Sequence, residues 1–204
     1  NNGGITSLAY RKKMAAKVFT NTSEYDSNIS NWLNSDKNRI HNTSIYERKF
    51  LRYGENPNQK AEVLINKNSN SIFNQQIQGK EISYNNTLDI EAAINCLSEF
   101  TEPTCVIIKH NNPCGVASNK NINFALKEAI KTDQISAFGG ILAINKIANK
   151  DFAKSVSKKF IEIIIAKGFN KSALKILSKN KKLILIDYKN ITILKGDEIK
   201  SIND

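Results

Sequence analysis

Residues 104–115 read TCVIIKHNNPCG, and the abrupt change of character inside this stretch decides how we interpret the chain. The apolar, β-branched run before Lys109 is typical of a strand buried on both faces. His110 follows directly, and Pro113 then favours a turn. Because ligands of open α/β sheets bind beyond the carboxyl ends of strands, Lys109 and His110 are candidates for proton transfer and anion binding. The alternative left open is a solvated Lys beside a hydrogen-bonded His in an ordinary turn.

Strand and helix patterns alternate along residues 60–187. Short apolar runs predict strands over 62–65, 104–108, 141–144, 161–166 and 183–186, with one more over 191–194. Apolar residues at helical spacing predict helices over 87–100, 122–131, 151–160 and 173–177. Because parallel strands need crossover helices between them, this alternation indicates an α/β fold with a mainly parallel sheet flanked by helices.

The first part of the chain has a different pattern. Helical spacing predicts helix over 7–33, with a second helix starting near Ser23, which can cap it. The polar segment 34–46 is the candidate linker. We therefore predict two domains, residues 1–45 and residues 46–204. The only methionine is Met14, so we expect the natural chain to start before residue 1.

The chain carries 30 Lys and Arg against 19 Asp and Glu, a net charge of +11 that can attract anions of several kinds. The cations are mostly Lys and lack interleaved aromatic residues, so we expect no nucleic-acid partner. A basic α/β module that binds nucleic acid or other anionic partners remains the alternative function. We expect no membrane association, because no apolar run is long enough to cross a bilayer and no secretion signal is visible. The spacing of the three cysteines favours a reducing cytoplasm.

The sequence does not contain the complete residue patterns of several common kinds of catalytic and binding site. His110 precedes Cys114 much as in zinc deaminases, but residue 117 is Ala and no His-x-Glu occurs, so we expect no metal site. A nucleophilic Cys114 paired with His110 is conceivable, although a small buried Cys is the commoner case. Neither a P-loop nor a dinucleotide-binding glycine pattern occurs. The remaining polar turns could together hold a phosphorylated, planar, amide-bearing substrate.

Four short motifs follow one another at characteristic spacings: LRYGENP at 51–57, SYNN at 83–86, KHNNPCG at 109–115 and SAFGG at 136–140. As an ordered set they closely resemble the bifunctional purine biosynthesis family that joins AICAR transformylase to IMP cyclohydrolase. The resemblance spans about residues 1–185. It implies that residues 1–45 are the last helices of a cyclohydrolase domain plus a linker. It also implies that residues 46–204 are the first half of a transformylase domain with a cytidine-deaminase-like fold.

The resemblance implies a phosphoribosylaminoimidazolecarboxamide formyltransferase. This enzyme moves a formyl group from its co-substrate, 10-formyltetrahydrofolate, to aminoimidazole carboxamide ribonucleotide (AICAR), and the cyclohydrolase then closes the ring to inosine monophosphate (IMP). His110 matches the position that takes the proton from the attacking amine, and Lys109 the neighbour that stabilises developing charge. The resemblance also implies that no metal is required for catalysis. The matching substrate-binding positions are Arg52, Tyr53, Asn86, Phe138, Gly139 and Glu162.

This sequence departs from the family pattern at three positions. Asn58 replaces a usual His, which leaves His110 as the only imidazole expected near the site, while Gln134 and Lys167 stand where Pro is common. The resemblance also places the cyclohydrolase active site before residue 1 and the second transformylase half after residue 204. It implies a homodimer whose interface completes the folate site. We therefore expect this chain alone to be inactive.

Overall fold

The computed structural model describes residues 4–33, 46–67 and 70–189, in two compact units. The first unit spans residues 1–50 and 62–69 and contains helix α1 (Leu8–Leu33) and an antiparallel pair, β1 (Tyr46–Phe50) and β2 (Glu62–Asn66). The predicted second helix at Ser23 is wrong, because α1 is continuous. It contains neither Gly nor Pro, and the Thr20 and Thr22 hydroxyls donate hydrogen bonds back to carbonyls of the preceding turn.

The second unit spans residues 51–61 and 70–204 and is built on a six-stranded sheet. The strands are β3 (Gln76–Gln78), β4 (Thr104–Lys109), β5 (Asn112–Ser118), β6 (Ile141–Ile144), β7 (Ile163–Ala166) and β8 (Ile184–Asp187). The helices are α2 (Tyr84–Ser98), α3 (Ile122–Thr132), α4 (Lys150–Val156) and α5 (Lys171–Leu177), and a 3₁₀ turn covers Ile72–Asn74. The spatial order of the strands is β3-β8-β7-β6-β4-β5.

The sheet is mixed, so the predicted mainly parallel sheet is wrong. Only β6–β7 and β7–β8 pair in parallel, and each of these pairs is joined through a helix. By contrast β3–β8, β4–β5 and β4–β6 are antiparallel. A two-residue turn at His110 and Asn111 folds β5 straight back onto β4. The segment after His110, which resembled a turn in sequence, is thus an edge strand. Pro113 is tolerated there because proline lacks the N–H that a residue in a central strand needs for hydrogen bonding to its neighbours.

Helices cover both faces of the central strands, which explains their continuous apolar runs. Ile107, Leu142 and Ile164 are fully buried in one core with α3, α4 and α5. Their neighbours along each strand, such as Val106, point to the opposite face, and α2 contacts β4 and β6 there. Burying each such side chain stabilises the fold by about 1.5–3 kcal/mol. Gly115 lets α3 lie directly on β5, since a Cβ there would overlap the Ala129 carbonyl oxygen.

Several predicted boundaries shift in the structure. Helix α2 begins at Tyr84, three residues before the predicted start, because Ser83 caps it. Helix α4 ends at Val156, and β7 begins at Ile163, so that Glu162 precedes the strand. The predicted linker over 34–46 lies outside the described residues except for Tyr46, which begins β1, and the predicted strand over 191–194 lies outside them entirely. Among the helices of the described ranges, none has the length and apolar character needed to cross a membrane.

Candidate active site

A cleft of about 520 Å³ opens at the end of β4, a size typical of small-molecule sites. Ile108 pairs with Ile141, and Ile141 pairs with Ile163. This register places Lys109 and Glu162 just beyond the same end of the sheet's strands, with β6 between β4 and β7. Since β4 is antiparallel to β6, the cleft lies at the carboxyl end of β4 but at the amino ends of β6 and β7. The expectation that the site lies beyond carboxyl ends therefore holds for β4 alone.

The side chain of Lys109 is held by the backbone at Gly139. Lys109 Nζ donates a hydrogen bond to the Gly139 carbonyl at 3.0 Å, and the Gly139 N–H donates to the Phe160 carbonyl at 2.7 Å. Gly139 has a φ of +69°, in the left-handed region, and a Cβ there would lie 3.1 Å from Lys109 Nζ. Glycine at this position therefore allows both the turn and the approach of the ammonium group.

His110 lies in a strained hairpin turn. His110 has a φ of 50° and Asn111 a φ of 62°, the left-handed pair expected of a two-residue type I′ turn. The Asn112 side-chain Nδ2 donates to the His110 carbonyl at 2.8 Å, and the Asn111 N–H donates to Asp89 Oδ1 at 2.6 Å. Burial raises the pKa of Asp89, and the Asn111 hydrogen bond and the nearby His110 and Lys109 charges partly offset this effect. The backbone of the turn is thus fixed while the imidazole stays exposed.

The N-terminus of α2 borders the same cleft. Ser83 caps the helix, and its N–H and Oγ both donate to Asn86 Oδ1, at 3.3 and 3.0 Å, in a capping box. The side-chain oxygen of the buried Asn86 is therefore used within the helix, which leaves its Nδ2 for a ligand. The helix dipole at this end favours an anion or a carbonyl oxygen.

A loop over 51–61 brings an arginine to the rim. The Tyr84 N–H donates to the Tyr53 carbonyl at 3.4 Å, and Asn85 Nδ2 donates to the Glu55 carbonyl at 3.1 Å, which ties the loop to the start of α2. Arg52 Nη2 donates to Tyr53 Oη at 2.8 Å. Arg52 is exposed, so its guanidinium remains accessible for bidentate binding of a phosphate.

The cleft mixes both signs of charge. Lys80 and Glu162 lie 3.8 Å apart as an ion pair, with each side chain about one third exposed. Glu55 and Asp89 also line the cleft, together with Arg52 and Lys109. Such a lining fits a compact ligand with several polar groups better than a uniform polyanion.

The family model described as AICARFT/IMPCHase bienzyme matches residues 1–204. The chain belongs to this family. Similar curated proteins, each described as bifunctional purine biosynthesis protein PurH, come from Persephonella marina, Caldicellulosiruptor bescii and Listeria monocytogenes serotype 4a. Their identities are 46% over 198 residues, 43% over 213 and 42% over 207, covering 92%, 98% and 98% of this chain. The chain spans 38%, 41% and 41% of their respective lengths.

Among solved structures, that of a formate dehydrogenase accessory protein from Desulfotalea psychrophila overlaps 65% of this chain and 78% of its own. The TM-score is 0.39 at 6% identity, which is too low to establish a shared fold.

Membership of the AICARFT/IMPCHase family confirms the resemblance drawn from the four motifs. The cleft brings most of the predicted site residues together: Arg52, Tyr53, Asn86, Lys109, His110, Gly139 and Glu162. Phe138 is not part of its lining. It is 66% exposed and packs against Phe160, with ring centroids 4.9 Å apart, beside Gly139. The roles of these residues remain predictions, and Asn58, where the family usually has His, does not line the cleft.

Lys80, Glu55 and Asp89 also line the cleft but were not among the predicted site residues. Asp89 follows Asn86 by three residues on α2, so their shared helix face was a usable signal. Nothing in the local sequence distinguishes Lys80. Within the described ranges, no three His, Cys, Asp or Glu side chains come together as a possible metal site.

One further carboxylate shapes the segment that leads to Gly139. Asp133 Oδ1 accepts the N–H groups of Ile135 and Ser136, at 3.1 and 2.9 Å, and Asp133 Oδ2 accepts the Ser136 hydroxyl at 2.6 Å. These hydrogen bonds lower the pKa of Asp133, and the bond from the Ser136 hydroxyl has the largest effect. The carboxylate thereby organises the turn that precedes the SAFGG motif.

Proposed function

We propose that this cleft is the nucleotide side of a transformylase site, at which AICAR receives a formyl group from 10-formyltetrahydrofolate. The observation that carries the proposal is the meeting, in one cleft, of an exposed imidazole, an anchored ammonium, an accessible guanidinium and a helix N-terminus. Those groups suit a ligand with a phosphate, a carboxamide and an amine that must lose a proton. Family membership supports the same substrate.

In the proposed complex, Arg52 binds the phosphate of AICAR in a bidentate manner, and Tyr53 orients the guanidinium. Asn86 Nδ2 offers a donor to the carboxamide oxygen, and the dipole of α2 favours that oxygen at the helix N-terminus. Gly139 accepts the hydrogen bond of Lys109, Glu162 lines the same cleft, and in the proposed complex both border the ring. Phe138, with Phe160, would contribute an apolar surface beside the cleft rather than part of its wall.

The proposed reaction has two bond changes. The 5-amino nitrogen of AICAR attacks the formyl carbon, and His110 takes the proton that this nitrogen loses. The C–N10 bond then breaks, N10 of the folate receives a proton, and formyl-AICAR and tetrahydrofolate leave. Lys109 stabilises the negative charge on the formyl oxygen with the N–H groups that Gly139 does not use. A general base supplies about 10²–10⁴-fold in rate and an oxyanion donor about 10²–10³-fold.

The remaining activities belong to a longer protein. We propose that ring closure to IMP takes place in the cyclohydrolase domain of a protein as long as the relatives. We further propose that a homodimer completes the folate site, that the transformylase half has a cytidine-deaminase-like fold, and that this chain alone has no turnover. The three cysteines are free thiols, as a cytoplasmic location requires.

The test uses a full-length protein, meaning one of the relatives' length that contains residues 1–204 of this sequence. His110→Asn removes the base but keeps a residue that tolerates the left-handed conformation. We expect AICAR-dependent tetrahydrofolate release to fall at least about 100-fold. The melting temperature and the KM for AICAR should change little, because the imidazole is exposed. A variant with wild-type turnover would refute the assignment of His110.

A further inference from the structure

We infer that Asp89 is a positioning residue for His110, acting through its hydrogen bond to the backbone of the hairpin turn. Asp89 lies on α2 and Asn111 on the turn, and Asp89 Oδ1 accepts the Asn111 N–H at 2.6 Å. For its effect on turnover, the inference rests on the function proposed above. Its structural part stands independently of that function.

The turn needs support from outside. Both central residues have positive φ, and neither His110 nor Asn111 is the glycine that two-residue turns favour. Such conformations persist when the surrounding structure determines them. The bond from Asn112 Nδ2 to the His110 carbonyl is local and moves with the turn. The bond from Asn111 to Asp89 instead joins the turn to a separate helix.

The helix that carries Asp89 is a rigid support. Its first turn is fixed by the capping box between Ser83 and Asn86. Ile90, the residue next to Asp89, is 2% exposed and lies in the core. Helix α2 therefore holds its own side of the cleft through Asn86 and the opposing turn through Asp89.

The inferred role needs an acceptor oxygen at residue 89 and does not need a negative charge there. Asp89 is half-buried, and burial raises the pKa of its carboxyl, while the Asn111 hydrogen bond and the charges of His110 and Lys109 lower it. Asp89→Asn keeps an oxygen that can accept the Asn111 N–H. Asp89→Ala removes it. The two variants therefore separate positioning from electrostatics.

The first measurement is amide hydrogen exchange at Asn111 in this 204-residue chain. We expect the Asn111 amide to be protected in the wild type and in Asp89→Asn, and to lose protection in Asp89→Ala. Glu91→Ala, an exposed change on the same helix, is the matched control and should leave the protection unchanged. Equal exchange in the wild type and in Asp89→Ala would overturn the inference, whatever the activity of the protein.

The second measurement is turnover in the full-length protein. In Asp89→Ala we expect kcat to fall by about 10–100-fold with the KM for AICAR within about threefold, because a misplaced base affects the reaction more than binding. Asp89→Asn should keep kcat within about threefold. Adding Asn111→Gly to Asp89→Ala should recover part of kcat, since Gly adopts positive φ without strain.

Two outcomes contradict the positioning role. A wild-type kcat in Asp89→Ala would show that the turn keeps its conformation without the hydrogen bond to Asp89. An equal loss in Asp89→Ala and Asp89→Asn, without recovery by Asn111→Gly, would show that the charge acts directly. If the wild-type protein transfers no formyl group while Asn111 protection depends on Asp89, then the proposed function fails and the structural inference stands.

Discussion

Gly139→Ala tests how closely the cleft is built around Lys109. Gly139 has a φ of +69°, and an added Cβ would lie 3.1 Å from Lys109 Nζ and 3.1 Å from the Phe160 ring. The left-handed conformation costs about 1–2 kcal/mol for a residue with a Cβ. At roughly 2–4 °C per kcal/mol for a chain of this size, the melting temperature should fall by about 2–8 °C.

The same methyl group should also impair turnover. It has to displace Lys109 Nζ or the Phe160 ring by a few tenths of an ångström, and we expect about a tenfold lower kcat in the full-length protein. Gly168→Ala is the matched control, because Gly168 also has a positive φ, +116°, but its nearest neighbour would be 3.7 Å away. The melting temperature is measured by thermal unfolding of the chain. The kcat is measured as tetrahydrofolate release by the full-length protein. Equal turnover of the two variants would refute the contact argument.

Two further variants test other parts of the cleft. Arg52→Lys keeps the charge but loses the bidentate geometry, so the KM for AICAR should rise about tenfold with kcat unchanged, whereas Arg48→Lys should alter neither in the same assay. Asp133→Ala removes the carboxylate that organises the turn before SAFGG, and it should destabilise the chain at neutral pH in urea unfolding. Because folding lowers the pKa of Asp133 below 3.8, this stabilisation is present above that pH and is lost as the pH falls through the folded-state value. A stability difference that persists below the folded-state pKa would contradict the role of its charge.

The central strands and the family were predictable because their signals are local. Residues 105–108, directly before Lys109, are all apolar. A continuous apolar run of this kind is typical of a strand that is covered on both faces. The four motifs are each contiguous in sequence, so their order could be read without knowing the fold. The start of α2 was misplaced because Ser83 and Asn86 are both good caps, and only the structure shows that Ser83 is the cap.

The pairing of strands was not predictable in the same way. The segment after His110 contains Pro113 and polar residues, which resemble a loop, and its role as an edge strand depends on β4 being available beside it. That hairpin reverses the direction of β4 relative to β6 and makes the sheet mixed. The place of Lys80 in the cleft was not predictable for a related reason. It depends on how the segment after β3 packs against the sheet.

The most direct measurement follows a ¹³C-labelled formyl group by NMR in the full-length protein. With labelled 10-formyltetrahydrofolate and AICAR, we expect the label to appear on the 5-amino nitrogen of AICAR as tetrahydrofolate is released. Transfer should require AICAR and be reduced at least about 100-fold by His110→Asn. A label that stays on the folate in a folded wild-type protein, or appears only as formate, would contradict formyl transfer at this cleft.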